Sequence, residues 1–486
     1  MAAQENNLHE REILIRDTFT PAENSCYFIL LAVAAFSFFV ADPATLWTLG
    51  FILITLPLSI ATIRLHQIHH PFVIDNLWAK YAILTLPVSY LTLHYCIGLF
   101  FPALEAFNFK NKVFWTLSDI TPLTPIIGVY SNKVPISLFG FFGAFLATIQ
   151  LYLIPKSLFF NERLLSRLCV LVAVLVFIGY LQHILGLSAP ILTKGITASN
   201  FFAFFPYDGH WAAFASIWCG VFFTLAIKHA DAQTDQRFID GKGPYYLSMG
   251  VLLGFSGYWV HASMPSIILL LTFSVFLLIF GIHFSVYSKD AHSKSIVNLS
   301  IFTSCVVLTS SLIKIFTIAE WSGDKSLLRQ TAWKLFLDRP LFGWGYQSFE
   351  FVAPFYNDDI LNGKNYISAS SDFLEILAEF GLIGAILIFT FFAIPIILHF
   401  AQRRFSLFSK YLLGSSITVI PFAVYDTPLM SPAVFVSFLI VFFIALRWAK
   451  IERSKEDELD ALPELILPES DRSIPFHNAK YKEKFK

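Results

Sequence analysis

The chain has little charge. Only 14% of its 486 residues are Asp, Glu, Lys or Arg, whereas 56% are hydrophobic and the mean hydropathy is +0.64. Soluble domains carry about 25% charged residues, so this composition excludes an ordinary soluble protein and indicates an integral membrane protein. The formal net charge is zero and no Lys/Arg block stands alone, so a nucleic-acid partner is not indicated.

Metal or redox cysteine spacing, a cleavable signal peptide and β-strand alternation are also missing or scarce. The five cysteines lie far apart in apolar runs without metal or redox spacing, so we expect inert core thiols. The polar N-terminus has no short apolar core of a cleavable signal peptide, so the first membrane helix is expected to direct targeting. Few segments alternate with a period of two, which disfavours a membrane β-barrel. The sequence therefore predicts an all-α polytopic membrane protein.

Twelve apolar segments approach the roughly 20 residues that a membrane crossing needs. The predicted spans lie near 26–43, 45–64, 81–103, 135–155, 165–187, 210–228, 245–260, 264–284, 295–316, 381–399, 411–426 and 430–448. This gives an N-terminal segment, nine spans, a large loop, three spans and a tail. The corresponding residues are 1–25, 26–316, 317–380, 381–448 and 449–486.

The positions of Lys and Arg predict the orientation. If the N-terminus is cytoplasmic, most of the 34 basic residues also fall on the cytoplasmic side, as the positive-inside rule requires. Both termini are then cytoplasmic, and the loop 317–380 lies on the outer side. The tail contains three prolines and many charges, so we expect it to be flexible or only locally helical.

The outer loop carries an ordered set of motifs. Its segment 327–337, LLRQTAWKLFL, repeats apolar residues at helical spacing and predicts a helix. The motifs in order are Arg329, Trp333, Pro340-Leu-Phe-Gly343-Trp-Gly345, Ser370-Ser371, nine residues, and Gly381-Leu-Ile-Gly384. This order resembles the O-antigen ligase and polymerase superfamily, in which Arg, Trp, Pro-x-x-Gly-x-Gly, His-Asn or His-Ser, nine residues and Gly-x-x-Gly follow one another. The family histidine corresponds here to Ser370.

The resemblance implies a glycosyltransferase C-like membrane enzyme of the bacterial inner membrane. It implies transfer of a glycan from undecaprenyl pyrophosphate to an acceptor hydroxyl on the periplasmic face, without metal or cofactor. The acceptor would be the lipid A core, in lipopolysaccharide biosynthesis, or a growing polysaccharide. The partners would be the lipid-linked glycan, the acceptor and membrane lipids.

Two alternatives to this function stay open. One is a polysaccharide transporter or flippase, although the spans contain almost no charge away from their ends, which disfavours ion-coupled transport. The other is a non-catalytic member that only binds the glycan. This second alternative follows from Ser370, because a serine hydroxyl cannot act as a general base near pH 7 as an imidazole can.

Five loop residues are candidates for substrate binding. Arg329 occupies the family's arginine position and is the first candidate for the pyrophosphate, since a guanidinium holds phosphate oxygens in two places. Trp333, one turn on, is expected to brace that guanidinium. Arg339 is a second candidate cation, or else a surface partner of Asp338. Ser370 and Ser371 are expected to hydrogen-bond a phosphate or a sugar hydroxyl.

Two carboxylates are candidates for catalysis. Asp372 lies two residues from the missing histidine and Glu375 one turn further, so either can accept the proton of the attacking hydroxyl. Alternatively, the two form a capping box at a helix start. A helix beginning at 372 is also expected to direct its N-terminal amides at an anion outside.

A second cluster lies before the sixth span, in the sequence FPYDGHWAAF at 205–214. Family members often have Phe-x-x-x-x-Asn/His-x-x-Ala here, so the resemblance places Tyr207, Asp208 and His210 in the same outer cavity. Charged and imidazole groups at the mouth of a membrane helix indicate a functional site. His210 is therefore an alternative base. The competing interpretation is an Asp208-Gly209 turn with His210 capping the helix.

Several other polar residues have weaker signals. His66, His69 and His70 have spacing that can hold a metal, but we favour no metal site on this cytoplasmic side. Lys314 and Asp426 lie near outer helix ends, where snorkelling is the common explanation and a cavity role the alternative. Lys194, in the loop between the fifth and sixth spans, is a further candidate for a phosphate contact.

Overall fold

A computed structural model of the chain shows a helical bundle that carries a folded cap at one end. The structure describes residues 19–39, 46–69, 74–109, 112–117, 126–129, 133–187, 201–232, 238, 241–260, 263–287, 291–317, 323–356, 366–402 and 406–461. The N-terminal segment 1–18, the end of the tail, Lys194, His70 and the side chains of His66 and His69 lie outside what is described. The predictions made for them therefore stay predictions.

The helices of the bundle follow the predicted spans closely. In chain order they are α1 (Pro21–Phe39), α2 (Leu46–His69), α3 (Ile74–Gly98), α4 (Lys133–Leu153), α5 (Leu158–Ile184), α6 (Asp208–Ala232), α7 (Gly243–Trp259), α8 (Met264–Tyr287) and α9 (Ala291–Thr317). After the cap come α12 (Asp372–Ala401), α13 (Leu407–Ile417), α14 (Val419–Tyr425) and α15 (Pro432–Ala461). The short helices α10 (Asp324–Asp338) and α11 (Phe349–Val352) belong to the cap.

The fold class is confirmed as an all-α polytopic membrane protein. Each of the twelve predicted spans overlaps a helix or, for the eleventh, the pair α13 and α14. Within the described residues, eight candidates are long and apolar enough to cross a membrane by length and composition. Helices suit this environment because they satisfy their own backbone groups in hydrocarbon.

Helix α6 lies at the centre of the bundle. Its apolar window is fully buried, and it packs against α7, α8, α13 and α15. Two of its tryptophans use their only polar atom on a neighbour: Trp211 Nε1 donates to Ser256 Oγ at 2.9 Å, and Trp218 Nε1 donates to Ser437 Oγ at 3.0 Å. These bonds satisfy the indole N–H groups and fix α6 against α7 and α15.

The cysteines are all free, but they do not all lie in the core. Cys26, Cys169 and Cys219 are buried as predicted, whereas Cys96 on α3 and Cys305 on α9 are exposed. The prediction of core thiols is thus wrong for these two. An apolar run in a membrane protein can face lipid as well as protein, so apolarity alone does not predict burial.

The segment between α9 and α12 folds into a cap with its own core. We use "cap" for its described residues, 323–356 and 366–371. The predicted helix at 327–337 is present as part of α10, and its buried face packs with Trp344 and Phe349. Ile127 and Val129, from the segment after α3, join this core. That segment also contains an antiparallel hairpin, β1 (Leu104–Phe109) and β2 (Lys112–Leu117), which the helical pattern did not predict.

Candidate functional site

Helix α12 is broken near its start, and the cap closes the break. Gly381 has φ 63° and ψ −168°, so the helical hydrogen bonds are interrupted there. The freed amides of Leu382 and Ile383 donate to the carbonyl oxygens of Pro340 at 2.7 Å and Leu341 at 3.2 Å. Span ten was predicted to begin near 381, whereas the helix begins nine residues earlier and 381 is the break.

The cap also supplies donors to the carbonyl side of the same break. The amide of Trp344 donates to Ala378 O at 2.9 Å, and that of Gly345 donates to Glu379 O at 2.8 Å. Gly343 has φ +70°, and a Cβ atom there would overlap the carbonyl group of Glu379. In apolar surroundings every backbone polar group needs a partner, so the glycine motifs exist to let two backbones meet.

Glu379 fixes the next turn of the cap. Its side chain is buried and accepts hydrogen bonds from the amides of Gln347, Ser348 and Phe349, the last at 3.4 Å. A carboxylate taken out of water needs such donors. Glu379 was not among the predicted site residues, although an acidic residue inside an apolar segment is itself a signal of a structural or functional role.

The start of α12 is capped differently from the prediction. Ser371 is the N-cap residue, because its Oγ accepts from the amide of Leu374 at 3.4 Å. The predicted capping box of Asp372 and Glu375 is therefore wrong. Glu375 instead accepts from the amide of Ala369 at 3.0 Å, which lies outside the helix.

Asp372 joins α12 to the turn that follows α14. Its Oδ2 accepts from the amide of Leu429 at 2.9 Å, and its own amide donates to Asp426 O at 3.1 Å. The first amide of α12 is thus used inside the protein, as is that of Leu374. The expectation that these N-terminal amides serve an outside anion is not supported for these two positions.

Ser370, at the position of the family histidine, has a strained backbone. Its φ is +54°, and only 8% of the residue is exposed. A non-glycine residue in the left-handed region costs roughly 1–2 kcal/mol. Such strain persists only where the surroundings impose it, and it clusters at functional sites. The conformation therefore marks position 370 as a constrained part of the site.

The start of α6 reaches the same place. His210 is 5% exposed, its Nε2 lies 3.1 Å from Thr427 O, and its ring centroid lies 5.2 Å from that of Tyr207. Its Nδ1 has no hydrogen-bond partner among the described residues. Asp208 is the first residue of α6, and its Oδ1 accepts from the amide of Gly209 at 2.9 Å. His210 thus bonds the turn after α14 and does not cap its own helix.

Asp426 connects these elements to the cap. It lies against Gly209, where a Cβ atom would overlap its carboxylate, and Lys325 Nζ is 3.3 Å from its Oδ2. Lys325 is on α10, one turn before Arg329, so the two cations share a helix face. Lys325 was not among the predicted site residues, since a single lysine in a long polar loop carries no local signal. Asp426 therefore contacts Lys325 and Gly209 inside the protein, and snorkelling does not describe its position.

Arg329 is half-buried, and it has no ion pair or ring contact with another described residue. The expected bracing by Trp333 is wrong. That ring is 46% exposed and packs against Phe336, with centroids 5.2 Å apart. Long side chains one turn apart on a helix lean in the same direction, so they can lie side by side without stacking. The spacing of Arg329 and Trp333 was therefore not enough to predict a stacked pair.

Arg339, unlike Arg329, stacks on a tryptophan of the cap. It is 7% exposed, with its guanidinium 5.0 Å from the Trp344 ring centroid, and burial lowers its pKa from the usual value. The interpretation of a surface pair with Asp338 is therefore wrong, because Arg339 is buried and Asp338 accepts from Tyr356 Oη at 2.5 Å. This geometry gives Arg339 a packing role inside the cap.

Two remaining predictions concern metal and helix-end residues. Across the described ranges there is no group of three or more His, Cys, Asp or Glu able to hold a metal. Lys314 lies with its Nζ 4.6 Å from the Tyr258 ring centroid, away from the residues joined by Asp426. The site residues that the structure brings together are those at the starts of α6, α10 and α12 and in the turn after α14.

The fold and this cluster define a class: a multi-pass helical membrane protein with a polar site where a folded cap meets a broken helix. Residues 243–389 match the family model for O-antigen ligase. The match confirms the resemblance to the O-antigen ligase and polymerase superfamily. It supports glycosyltransferase-type activity on a lipid-linked glycan and an acceptor. A search of curated proteins finds no matching relative.

The matched region covers α7 to the first half of α12. It includes the cap with Arg329, Arg339 and Ser370, whereas His210 and Asp426 lie outside it. The cluster around Asp426 thus joins residues inside the matched region to residues outside it.

Proposed function

We propose that this protein transfers a glycan from undecaprenyl pyrophosphate to an acceptor hydroxyl on the periplasmic face of the bacterial inner membrane. The acceptor is the lipid A core or a growing polysaccharide. The observation that carries the proposal is the family match over residues 243–389, which spans the cap and the broken helix. The positive-inside distribution supports the periplasmic position of the cap.

Arg329 and Lys325 bind the pyrophosphate. They lie one turn apart on α10, and Lys325 reaches the start of α6 through Asp426. When the bond from the sugar to the pyrophosphate breaks, the electron pair stays on the departing oxygen. Cations fixed in advance stabilise that charge. Ser370 borders the same space and contributes its hydroxyl group to the glycan, whereas the Ser371 hydroxyl is used inside the protein by Ala423 O and the amide of Leu374.

His210 accepts the proton in the proposed reaction. With its Nε2–H donating to Thr427 O, the neutral ring has a lone pair on Nδ1. The acceptor hydroxyl forms a bond to the sugar's anomeric carbon, the bond to pyrophosphate breaks, and the hydroxyl proton moves to Nδ1. Asp426 and Asp208 interact electrostatically with the ring and stabilise the resulting positive charge.

Asp372 and Glu375 take positioning roles in this proposal. Asp372 already accepts a hydrogen bond from the amide of Leu429, and Glu375 accepts one from the amide of Ala369. These bonds hold the turn after α14 and the end of the cap in place. Tyr207 packs on His210 and orients its ring. Trp333 is exposed on α10 and offers its face to a sugar ring.

The direct test is Arg329→Ala in the producing strain. We expect surface glycan to be lost while the protein still inserts in the membrane at normal amount. Lys334→Ala removes an exposed cation from a different face of the same helix and is the matched control. Normal surface glycan in Arg329→Ala would contradict the proposal.

A second experiment tests the assignment of His210. His210→Ala should abolish transfer, and adding Ser370→His, which restores the family residue, should recover part of it. If His210→Ala keeps full transfer, the base is another group. Gel profiles in a deletion strain separate the two acceptors: single-repeat products indicate a polymerase and unattached lipid-linked polymer indicates a ligase. Flux of lipid-linked glycan across liposomes would instead indicate a flippase.

A further inference from the structure

A groove runs along the membrane part of the bundle, far from the cap. It has a volume of about 700 Å³ and lies between α3, α12 and α15, with one contribution from α4. On α12 its wall extends from Leu387 to Gln402, whereas the candidate site lies at Asp372. From Asp372 to His399 the helix rises roughly 40 Å, at about 1.5 Å per residue. The groove therefore ends near the opposite side of the membrane.

The long wall of the groove is apolar. Ile83 is 65% exposed and Ile394 is 54% exposed, and both line it together with the buried rings of Phe442 and Phe443. Prolines inside α3 and α12, Pro87 and Pro395, also line it. A proline in a helix interior removes a hydrogen bond and bends the helix. Such bends open space between helices that an acyl chain can fill.

The far end of the groove is basic. Lys450 and Arg453 lie on one face of α15 and are both exposed, and His399 of α12 and Gln402, the residue after this helix, complete this end. The groove lining, all of it within the described part of the chain, contains no Asp or Glu. An apolar channel that ends in cations is complementary to a lipid with an anionic head.

We propose that this groove binds one anionic phospholipid. Its phosphate lies between Lys450 and Arg453, and an acyl chain follows the wall past Ile394 towards Ile83. The site is separate from the pyrophosphate site, because it opens at the other end of α12. Its occupant is a structural lipid of the membrane leaflet on that side, so the inference does not rest on the proposed transfer reaction.

The electrostatic contribution sets the expected effect. Each Lys or Arg near an anionic lipid surface strengthens binding by about fivefold. Replacing both Lys450 and Arg453 by glutamine should then weaken phosphatidylglycerol binding by roughly 25-fold and leave phosphatidylcholine binding nearly unchanged. The pair Arg163→Gln and Arg167→Gln, two exposed cations on α5, is the matched control and should keep wild-type binding.

The test uses the purified full-length protein in detergent. Native mass spectrometry measures bound phosphatidylglycerol and phosphatidylcholine, with inorganic phosphate added in a separate arm. Wild type should retain phosphatidylglycerol preferentially, and inorganic phosphate should not displace it. Equal binding of the two lipids, displacement by inorganic phosphate, or equal losses in the α5 control would each overturn the proposal.

A second pair of variants tests the apolar wall. Ile394→Trp fills the groove, whereas Ile397→Trp places the same ring on an exposed part of α12 outside its lining. Binding should fall at least tenfold in the first and stay unchanged in the second. Unchanged binding in Ile394→Trp would overturn the position of the acyl chain, and with it the site.

Discussion

Gly343 lies against the carbonyl group of Glu379, with no room between them for a Cβ atom. The contact lies where the cap meets the break in α12, and backbone hydrogen bonds flank it on both sides. It explains why a glycine in the loop and a glycine in the helix occur as a linked pair of motifs. Both belong to a single backbone junction.

Gly343→Ala should therefore destabilise the protein. Its φ of +70° costs an alanine roughly 1–2 kcal/mol, and the overlap with Glu379 adds to this. We expect a lower midpoint of thermal unfolding in detergent at a fixed scan rate. The control is Gly414→Ala in α13, where nothing lies within 4 Å of the added atom. An unchanged midpoint in Gly343→Ala would contradict the junction.

Glu379→Ala should loosen the cap without unfolding the bundle. It leaves the amides at 347–349 without their acceptor, which costs about 1–3 kcal/mol for a buried donor. Hydrogen exchange at these amides should accelerate, while exchange in α6 stays slow. Transfer activity should fall as well. Exchange rates equal to wild type in 347–349 would show that Glu379 does not hold this turn.

Ser370→Gly should stabilise the protein by about 1 kcal/mol, because glycine adopts a φ of +54° without strain. Ser370→Ala keeps the Cβ atom and should give no such gain. Both variants lack the hydroxyl, so both should bind the glycan more weakly if Ser370 contacts it. Thermal unfolding and product yield separate the two effects. An equal gain in Ser370→Ala would exclude strain as the cause.

Lys325→Gln should reduce activity far more than stability. The ion pair with Asp426 has side chains 46% and 16% exposed, so solvent screening limits its contribution to about 0–1 kcal/mol. Transfer should nevertheless fall at least tenfold if Lys325 contacts the pyrophosphate. Lys334→Gln on the same helix is the control. A stability loss that matches the activity loss would assign Lys325 a structural role instead.

Arg339→Lys should behave as a disruptive change. The guanidinium lies over the Trp344 ring, and a lysine ammonium cannot present the same plane to it. A buried cation–π contact contributes up to about 2 kcal/mol, so the unfolding midpoint should drop. The measurement is thermal unfolding of the purified variant. An unchanged midpoint would show that the stacking is dispensable.

Much of the bundle was predictable, because long apolar segments allow few structures in a membrane. The helical character of the predicted spans and the helix at 327–337 followed from length and periodicity alone. The break at Gly381 did not, since its stability comes from Pro340 and Leu341, which are 41 and 40 residues away in the sequence. A local pattern contains no information about such partners.

The site was predicted in part for the same reason. Motif spacing identified the cap, and topology placed His210 at the same end of the bundle. The contacts of Asp426 with Lys325 and Gly209 depend on three elements that meet only in the folded chain. The N-cap residue of α12 is a further feature that the sequence alone does not determine. Both Ser371 and Asp372 are good capping residues, and only the backbone geometry decides between them.

The four backbone hydrogen bonds that cross from the cap to the break in α12 also restrict how substrates can enter. Lifting the cap would leave the amides of Leu382 and Ile383 and the carbonyls of Ala378 and Glu379 unpaired in apolar surroundings, at several kcal/mol for each group. The cap is therefore expected to stay fixed on α12 and not to open as a lid. If the proposed reaction is right, we expect the lipid-linked donor to enter laterally from the membrane, beneath a cap that stays in place.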